Sequence, residues 1–437
     1  MKRITTFIIL IFTALNINCQ EFNNFFCDST LRVDYIFAGD NKNQHIFYHE
    51  ASQYQGWAGR KSKLAQKFLN GNGQITVKDA ETHQIIYVNT FSTLFLEWQT
   101  EEEATKVQKS FENSFLIPFP RKSIEITISL TDTHQKVSSE LTHILSPDDI
   151  LIRKVKAPNY SYNYLLKNGD SSKCVDVAFI SEGYTESEMQ KFHYDCERAI
   201  DALFSHEPFS HLKSKFNVLA VDCPSQNQGP CIPRKNIWND LPSGTHYDTF
   251  YSDRYLMTSK MWQVYDILDG IPFEQIIILV NTDLYGGGGI YNQINVFPSD
   301  HITFKPLLVH EFGHGYAGLG DEYYYDDGFQ TRYPSDAEPW EPNLTTLVDF
   351  GSKWKDMISN DTPIPTPASN TEGIPYYEMM KIKELTQKIG VFEGGGYQSK
   401  GVYRPAQECR MKVLEVEDFC PVCTKAICDI TDFYTEE

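Results

Sequence analysis

Two histidines and a glutamate lie within five residues of one another in the stretch VHEFGHGYAGLGDEYYY, which spans residues 309–325. On an α-helix, residues four apart lie about 40° apart in projection and one turn along the axis. His310 and His314 can therefore direct both imidazoles at one metal ion, and two imidazoles suit zinc. Glu311 lies on the same flank, where a carboxylate can exchange a proton with water on that ion. The spacing predicts a hydrolytic zinc site.

A catalytic zinc site requires a third protein ligand and an open position. Asp321, our predicted third ligand, is seven residues beyond His314. On a continuous helix it would lie about 10 Å further along the axis, so the helix must end and the chain must return. Three glycines are placed to end the helix, because glycine tolerates left-handed conformations: Gly315, Gly318 and Gly320. Other acidic residues are alternative third ligands: first Glu322, and then Asp326 and Asp327.

The competing explanation for this stretch is an ordinary core helix with polar residues on its exposed face. A His-Glu-x-x-His pattern would arise by chance in such a chain on the order of one time in a hundred. A surface helix also gains nothing from Gly313 and Gly315, since glycine destabilises a helix interior by about 1 kcal/mol relative to alanine. The metal-site interpretation is therefore favoured.

The chain ahead of this helix is typical of an α/β domain, which would position the helix. Apolar runs that indicate buried strands occupy residues 175–184, 215–222 and 273–283. Helical spacing occupies residues 185–204 and 255–268 between them. Strands that alternate with helices predict a largely parallel sheet.

Local patterns mark the ends of these elements. Thr185 followed by Glu188 fits a capping box at the start of the first helix. A glycine run at residues 286–289 enters a further strand, and the His-Glu-x-x-His helix is expected from about Lys305. We assign residues 157–437 to this catalytic domain.

Residues 20–156 predict a separate β-rich domain. Short runs rich in β-branched and aromatic residues alternate with turn formers, which favours an antiparallel β-sandwich. The runs interpreted as strands are LRVDYIFAG, HIFYHEA, QIIYVNTF, LFLEWQT and SIEITISLTD. The region contains no catalytic grouping, so we expect an accessory domain.

The first 19 residues predict a secretory signal peptide. Lys2 and Arg3 precede a short apolar run at residues 7–15, which is too short for a stable membrane anchor. Cleavage near Gln20 and lipidation of Cys19 are both compatible with the sequence. We therefore expect an exported protein, either secreted, periplasmic or on the outer-membrane surface, without a transmembrane span.

Composition sets broader limits. A chain of 437 residues is expected to form two or three domains, and 41% hydrophobic residues are sufficient for packed cores. The formal net charge of −19 repels phosphate backbones, which argues against a nucleic-acid partner. The same charge attracts divalent cations.

The ten cysteines suggest cross-links. Cys223 and Cys231 flank a short loop, which predicts a local disulfide. Four more cysteines lie near the C-terminus: Cys409, Cys420, Cys423 and Cys428. The Cys-Pro-Val-Cys pair at residues 420–423 resembles half of a structural zinc site. Disulfides are the favoured interpretation in an exported chain.

Motifs along the whole chain are similar to those of one peptidase family. HEFGH at residues 310–314 is followed by Leu319 and by DEY at residues 321–323. The accompanying segments are SEGYT, GTHYDTFYSDRYL, NTDLYGGGG, YRPAQECRM, FCPVC and, near the N-terminus, LRVDYIFAG and GWAGR. Together they resemble the IgA-peptidase family of bacterial zinc metallopeptidases over most of the mature chain.

The resemblance implies specific roles. It implies that His310, His314 and Asp321 bind zinc and that Glu311 is the catalytic acid and base. The family is similar to metzincins, which implies a zincin-like α/β catalytic domain with a methionine turn beneath the metal. Met411 is the matching residue, with an ordinary core methionine as the alternative. The third ligand follows one residue later than in the common metzincin pattern and is acidic, so its identity stays open.

The implied reaction is hydrolysis of a peptide bond in a protein or glycoprotein. Zinc lowers the pKa of a bound water towards ~7. Glu311 accepts its proton as the water attacks the carbonyl, and then delivers the proton to the leaving nitrogen. Tyr323 and Tyr403 are considered as second donors to the oxyanion. Residues 286–289 either admit a substrate backbone beside a rim strand or form a tight loop.

Two other functions stay open at this point. The first is a non-catalytic exported surface protein that binds a host glycoprotein or glycan and carries a structural metal, which a closed fourth coordination position would favour. The second is a zinc hydrolase for non-peptide amides. The adjacent glutamate argues against the first, because a structural site needs no general base.

Overall fold

The structure is a computed structural model, and it describes residues 22–325 and 332–436. The signal peptide, Cys19, Asp326 and Asp327 lie outside these residues. No helix in the two described ranges has the length and apolarity needed to cross a bilayer.

Two four-stranded sheets form an N-terminal sandwich. Their strand orders are β5-β1-β2-β8 and β4-β3-β6-β7, antiparallel except for the short pairing of β2 with β8. Aromatic rings join the facing sheets, as Phe37 of β1 stacks on Phe91 of β4 with 6.2 Å between ring centroids. The elements are α1 Phe22–Phe25, β1 Phe26–Gly39, β2 Gln44–Gln55, β3 Gly73–Asp79, β4 Ile85–Phe91, α2 Leu94–Trp98, β5 Lys109–Pro120, β6 Ile124–Thr131, β7 Val137–Leu145 and β8 Arg153–Lys154.

One predicted strand of this region, LFLEWQT, is wrong. It forms the short helix α2, whose start is capped by Thr93, because the Thr93 hydroxyl accepts a hydrogen bond from the Leu96 N–H at 3.2 Å. Leu94 and Trp98 are one helical turn apart, and both are buried. The cap and this shared face outweigh the strand preference of the aromatic residues.

The second region contains the predicted sheet. Its six strands lie in the order β13-β14-β12-β10-β11-β9, with the four central strands parallel and both edge strands antiparallel. Every residue of β10 and β12 is buried, as expected for strands covered on both faces. The elements are β9 Ser161–Leu166, β10 Val175–Glu182, α3 Met189–Phe204, α4 Phe209–Leu212, β11 Phe216–Asp222, α5 Met261–Ile267, β12 Gln275–Val280, β13 Gly288–Ile290, β14 Ile294–Pro298 and α6 Phe304–Ala317.

The capping box before α3 is confirmed, with the Thr185 N–H donating to the Glu188 carboxylate at 3.0 Å. A single 3₁₀ turn links this cap to α3.

The C-terminal region adds a small sheet of order β15-β17-β16 and a terminal helix. Residues 332–367 contain an isolated bridge, turns and short 3₁₀ helices. The elements are β15 Tyr324–Tyr325, α7 Tyr376–Met379, α8 Lys383–Gln387, β16 Phe392–Gly395, β17 Tyr397–Arg404 and α9 Pro421–Thr435.

The predicted disulfides are wrong for the described residues, where all cysteines are free thiols. The Cys223 thiol donates to the Ser181 carbonyl at 3.2 Å, and the Cys231 thiol donates to the Asn239 carbonyl at 3.3 Å. Each sulfur of the expected local pair thus has its own backbone partner.

Two glycines within α6 bring this helix close to its neighbours. The predicted start near Lys305 is confirmed, but the expectation that Gly315 ends the helix is wrong. A Cβ atom on Gly315 would lie 2.0 Å from Oδ1 of Asn295 in β14, and one on Gly313 would lie 2.9 Å from Sδ of Met411. Both glycines therefore serve close packing of the helix that carries the histidines.

We predict that Gly315→Ala destabilises the protein, although alanine has the higher helix propensity. The added methyl group must displace the buried Asn295, and overpacking of this kind costs about 1–3 kcal/mol. Gly351→Ala is the control, because its Cβ would lie 3.7 Å from its nearest neighbour. Thermal and denaturant unfolding should show a loss for Gly315→Ala and a change within about 0.5 kcal/mol for the control. Equal stability of both variants would contradict the close approach.

Candidate active site

One face of α6 carries the three residues of the motif. His310 and His314 point towards each other, with their Nε2 atoms 3.1 Å apart and their rings at 85°. The opposite face is anchored in the core, where Phe312 and Tyr316 stack with 5.1 Å between ring centroids. Burial of this apolar face fixes the direction in which the imidazoles project.

The chain reverses directly after the helix. Gly318 adopts the left-handed conformation, with φ of 62°, and its N–H donates to the His314 carbonyl at 3.1 Å. The Leu319 N–H donates to the Gly313 carbonyl at 3.1 Å, which completes the C-terminal cap. The predicted helix stop at Gly318 is confirmed.

This reversal brings the carboxylate of Asp321 to the two imidazoles. Its Oδ1 atom lies 3.1 Å from Nε2 of His310 and 3.2 Å from Nε2 of His314. The three donor atoms thus form a nearly equilateral triangle, and Asp321 is 7% exposed.

The donor set fits a divalent cation such as zinc. Bonds of 2.0–2.1 Å to a tetrahedral ion would place neighbouring ligand atoms about 3.3–3.4 Å apart, close to the observed separations. Oδ1 of Asp321 is buried, and apart from the two imidazoles it has no hydrogen-bond donor among the described residues. A bound cation would satisfy this oxygen.

Hydrogen bonds from outside the triangle orient all three side chains. Nδ1–H of His310 donates to the Arg410 carbonyl at 3.0 Å, and Nδ1–H of His314 donates to the Leu319 carbonyl at 2.5 Å. These bonds fix the Nδ1 hydrogens, so Nε2 is the atom of each imidazole that can bind a metal. The Tyr397 hydroxyl donates to Oδ2 of Asp321. The sequence analysis missed Tyr397 and the Arg410 carbonyl.

The other predicted ligands and the methionine can be placed in the same way. The structure does not bring Glu322 to the histidines, because its carboxylate points away and contacts Cys423. Met411 is fully buried beneath α6, against Gly313.

Tyrosines differ in their access to the site. Tyr323 lines the cleft over the histidines and packs edge-on against Tyr397. Tyr403 does not line this cleft, and its backbone pairs with Thr345 instead. Tyr285, which was not predicted, also lines the cleft. Burial raises the pKa of Tyr285, and the nearby charge of Glu311 raises it further.

The cleft has a volume of about 1120 Å³ and is bounded by both regions of the chain. The N-terminal region contributes residues such as Glu97 and Glu101, and the second region contributes α6 and residues 286–289. A Cβ on Gly286 would lie 2.6 Å from the Tyr247 ring, so tight packing of the loop accounts for that glycine. β13, which follows the glycine run, is an edge strand of the sheet.

Sequence comparisons identify the protein's relatives. The family described as IgA Peptidase M64 matches residues 164–383 and 377–431, and Peptidase M64 N-terminus matches residues 21–142. The chain belongs to the IgA Peptidase M64 family. Membership confirms the resemblance and supports a metallopeptidase, a hydrolase whose substrates are proteins. A comparison with curated proteins finds no significant match.

Charges at this M64 site are strongly coupled. Burial raises the pKa of Glu311, and the neighbouring histidines oppose that effect only in part. Burial also acts to raise the pKa of Asp321, but attraction to His314 outweighs it and holds the pKa well below its ordinary value. Burial acts to lower the pKa of His314, but attraction to Asp321 outweighs burial and raises the pKa to about 9. In the absence of a cation, His314 therefore carries a proton at neutral pH.

We predict that metal affinity of the M64 site rises with pH well beyond the ordinary histidine range. A metal binds neutral imidazole, so it must displace the His314 proton below the pKa of about 9. Apparent affinity should therefore increase by about tenfold per pH unit from pH 7 to pH 9 and level off above this. Competition with a chelator of known protonation behaviour measures this slope. An affinity that is constant above pH 7 would contradict the raised pKa.

We predict that Tyr397→Phe weakens metal binding without unfolding the protein. Loss of the hydroxyl removes the hydrogen bond that orients the Asp321 carboxylate, and loss of such a partner costs about 10–100-fold in metal affinity. Tyr403→Phe is the matched control, since Tyr403 lies on the same strand but outside the cleft. Metal titration of both variants tests this, and equal affinities would show that the hydroxyl does not support the ligand.

Proposed function

We propose that this M64 family member is an exported zinc endopeptidase in which His310, His314 and Asp321 hold the ion and Glu311 is the general base. The observation that carries the proposal is the triangle of donor atoms with 3.1–3.2 Å edges beside a glutamate in an open cleft. We also propose a metzincin-like arrangement of the catalytic region. Met411 beneath Gly313 supports the role of methionine turn, because it packs under the ligand-bearing helix.

A bound zinc ion would supply Lewis acidity, which polarises a substrate carbonyl and acidifies water. The carboxylate of Glu311 takes the proton of the attacking water and returns it to the leaving nitrogen. Burial raises the pKa of Glu311, which makes the carboxylate a stronger base near neutral pH. Tyr397 contributes by holding the Asp321 carboxylate in place through the hydrogen bond from its hydroxyl.

The shape of the cleft supports a polypeptide substrate. Its volume of about 1120 Å³ exceeds the ~300–1,000 Å³ of ordinary small-molecule pockets. β13 is an edge strand beside α6, so its free edge can accept an extended substrate backbone by β-addition. The open cleft argues against a closed structural metal site in this position.

Export is supported by the basic and apolar N-terminal sequence, and either cleavage near Gln20 or lipidation of Cys19 would follow it. Mass spectrometry of the mature N-terminus distinguishes the two, and an intact Met1 would contradict export by this route.

We predict that Glu311→Gln retains the metal and loses proteolysis. The amide keeps the shape of the side chain but cannot accept the proton, so kcat should fall by about 10²–10⁴-fold. Metal content and hydrolysis of a protein substrate are measured on the same sample.

Glu101→Gln is the control, because Glu101 is a cleft carboxylate in the sandwich that pairs with Arg332. This variant should keep most of the parent rate. A Glu311→Gln variant with the parent rate, or one that loses metal together with activity, would refute the assigned role.

A further inference from the structure

A second group of metal-ligating side chains lies on the other side of the segment that carries Asp321. It consists of Glu322, Cys409, Cys420 and Cys423, all buried, with one ligand atom from each within 4.8 Å of the others. Three separate stretches of the chain contribute to it: the return after α6, the loop that contains Met411, and the start of α9.

Two of the separations between these atoms match a tetrahedral metal site. The Sγ atoms of Cys409 and Cys423 are 3.8 Å apart, whereas a disulfide requires about 2.05 Å. Zinc–sulfur bonds of about 2.3 Å in a tetrahedron would place two sulfurs about 3.8 Å apart. Oε1 of Glu322 lies 3.2 Å from Sγ of Cys423, so the carboxylate occupies a neighbouring vertex.

The Glu322 carboxylate provides an independent indication of a cation. Glu322 is fully buried, and its Oε2 atom makes no hydrogen bond to the described residues. Oε1 accepts a hydrogen bond from Nδ2 of Asn343 at 2.9 Å. A buried carboxylate with an unpaired oxygen is strongly unfavourable unless a cation or a proton satisfies it, and in a cluster of three cysteines a shared metal ion is the cation that fits.

Positive electrostatic groups lie beside the cluster. Cys420 is the N-cap of α9, and Pro421 occupies the first turn, so the positive end of the helix dipole faces the cluster. Two buried guanidinium groups, Arg404 and Arg410, interact electrostatically with Glu322 and Cys409 respectively. They offset part of the negative charge of three thiolates and a carboxylate.

We propose that Glu322, Cys409, Cys420 and Cys423 bind a second zinc ion in a closed structural site. Three thiolates and a carboxylate are a zinc ligand set with no position left for water or substrate. The inference does not depend on the proposed function, because none of these residues belongs to the cleft triangle.

The second ion would connect the two chain segments that orient the ligands of the first site. The Glu322 N–H donates to the Met411 carbonyl at 2.8 Å, and Glu322 directly follows Asp321. Cys409 directly precedes Arg410, whose carbonyl accepts the hydrogen bond from Nδ1–H of His310. A metal that joins Glu322 to Cys409 thus fixes the loop beneath α6 and the third ligand together.

The unmodified protein, purified without reductant or chelator, gives the first test. Elemental analysis should find two zinc ions per chain. X-ray absorption at the zinc edge should show sulfur neighbours at about 2.3 Å, which the triangle of nitrogen and oxygen donors cannot supply. Cys409, Cys420 and Cys423 should resist alkylation until a chelator is added.

Variants assign the sulfur signal to this cluster. Cys423→Ser should lower the zinc content from two ions to one and remove most of the sulfur scattering. Cys428→Ser is the matched control, because Cys428 lies on the same helix outside the cluster and should keep both ions. The double variant His310→Ala with His314→Ala should retain one ion with sulfur neighbours, which tests the site if Cys423→Ser fails to fold.

The outcomes separate this proposal from the peptidase assignment. A single ion without sulfur neighbours, or a disulfide between any two of the three cysteines, would overturn the second site and leave the proposed function standing. A single ion with sulfur neighbours only would support the second site and overturn the proposed zinc triangle. If the sulfur scattering of Cys423→Ser equals that of the parent protein, the assignment of the zinc-bound sulfurs to this cluster is also overturned.

Discussion

The contact between Asp321 and the two imidazoles of α6 is the constraint on which the active site depends. A carboxylate is buried here at the point where two nitrogen lone pairs converge, and each of the three groups is held by a hydrogen bond from a different part of the chain. Helix packing through Gly313 and Gly315, the reversal at Gly318 and the strand that carries Tyr397 all serve this convergence. The fold places the donors before any ion arrives, so little reorganisation is needed on binding.

The N-terminal sandwich is bonded to the second region and forms part of the cleft wall. Arg32 of β1 is buried and pairs with Asp266 of α5 at 2.6 Å and with Asp269 at 3.3 Å, which ties the two regions together. The Ser92 N–H donates to the Tyr291 carbonyl at 2.9 Å, beside β13. The sandwich thus braces the edge strand next to the histidines, and one wall of the cleft belongs to it.

Features that depend on residues close together in the sequence were predicted, and features that depend on distant residues were not. The helix face of His310 and His314 and the stop at Gly318 are local, so spacing and residue type were enough to predict them. Tyr397 and the Arg410 carbonyl lie 76 and 100 positions from the groups they orient, and no local pattern marks them. The aromatic content of residues 94–100 predicted a strand, whereas the Thr93 cap and the shared buried face of Leu94 and Trp98 produce the helix α2. Asp321 and Glu322 are chemically alike, so only tertiary structure separates their partners.

That separation has a consequence for how this segment can change. Asp321 and Glu322 are consecutive, yet one carboxylate faces the histidines and the other faces the cysteines. Deletion of one residue between Gly318 and Asp321 would bring Glu322 to the histidines and Tyr323 to the cysteines. Insertion of one residue there would bring Asp321 to the cysteines and leave the histidines without a carboxylate. The length of this loop is therefore as restricted as the identity of any ligand. Only sequence changes that keep the number of residues between Gly318 and Asp321 leave both acids in their places.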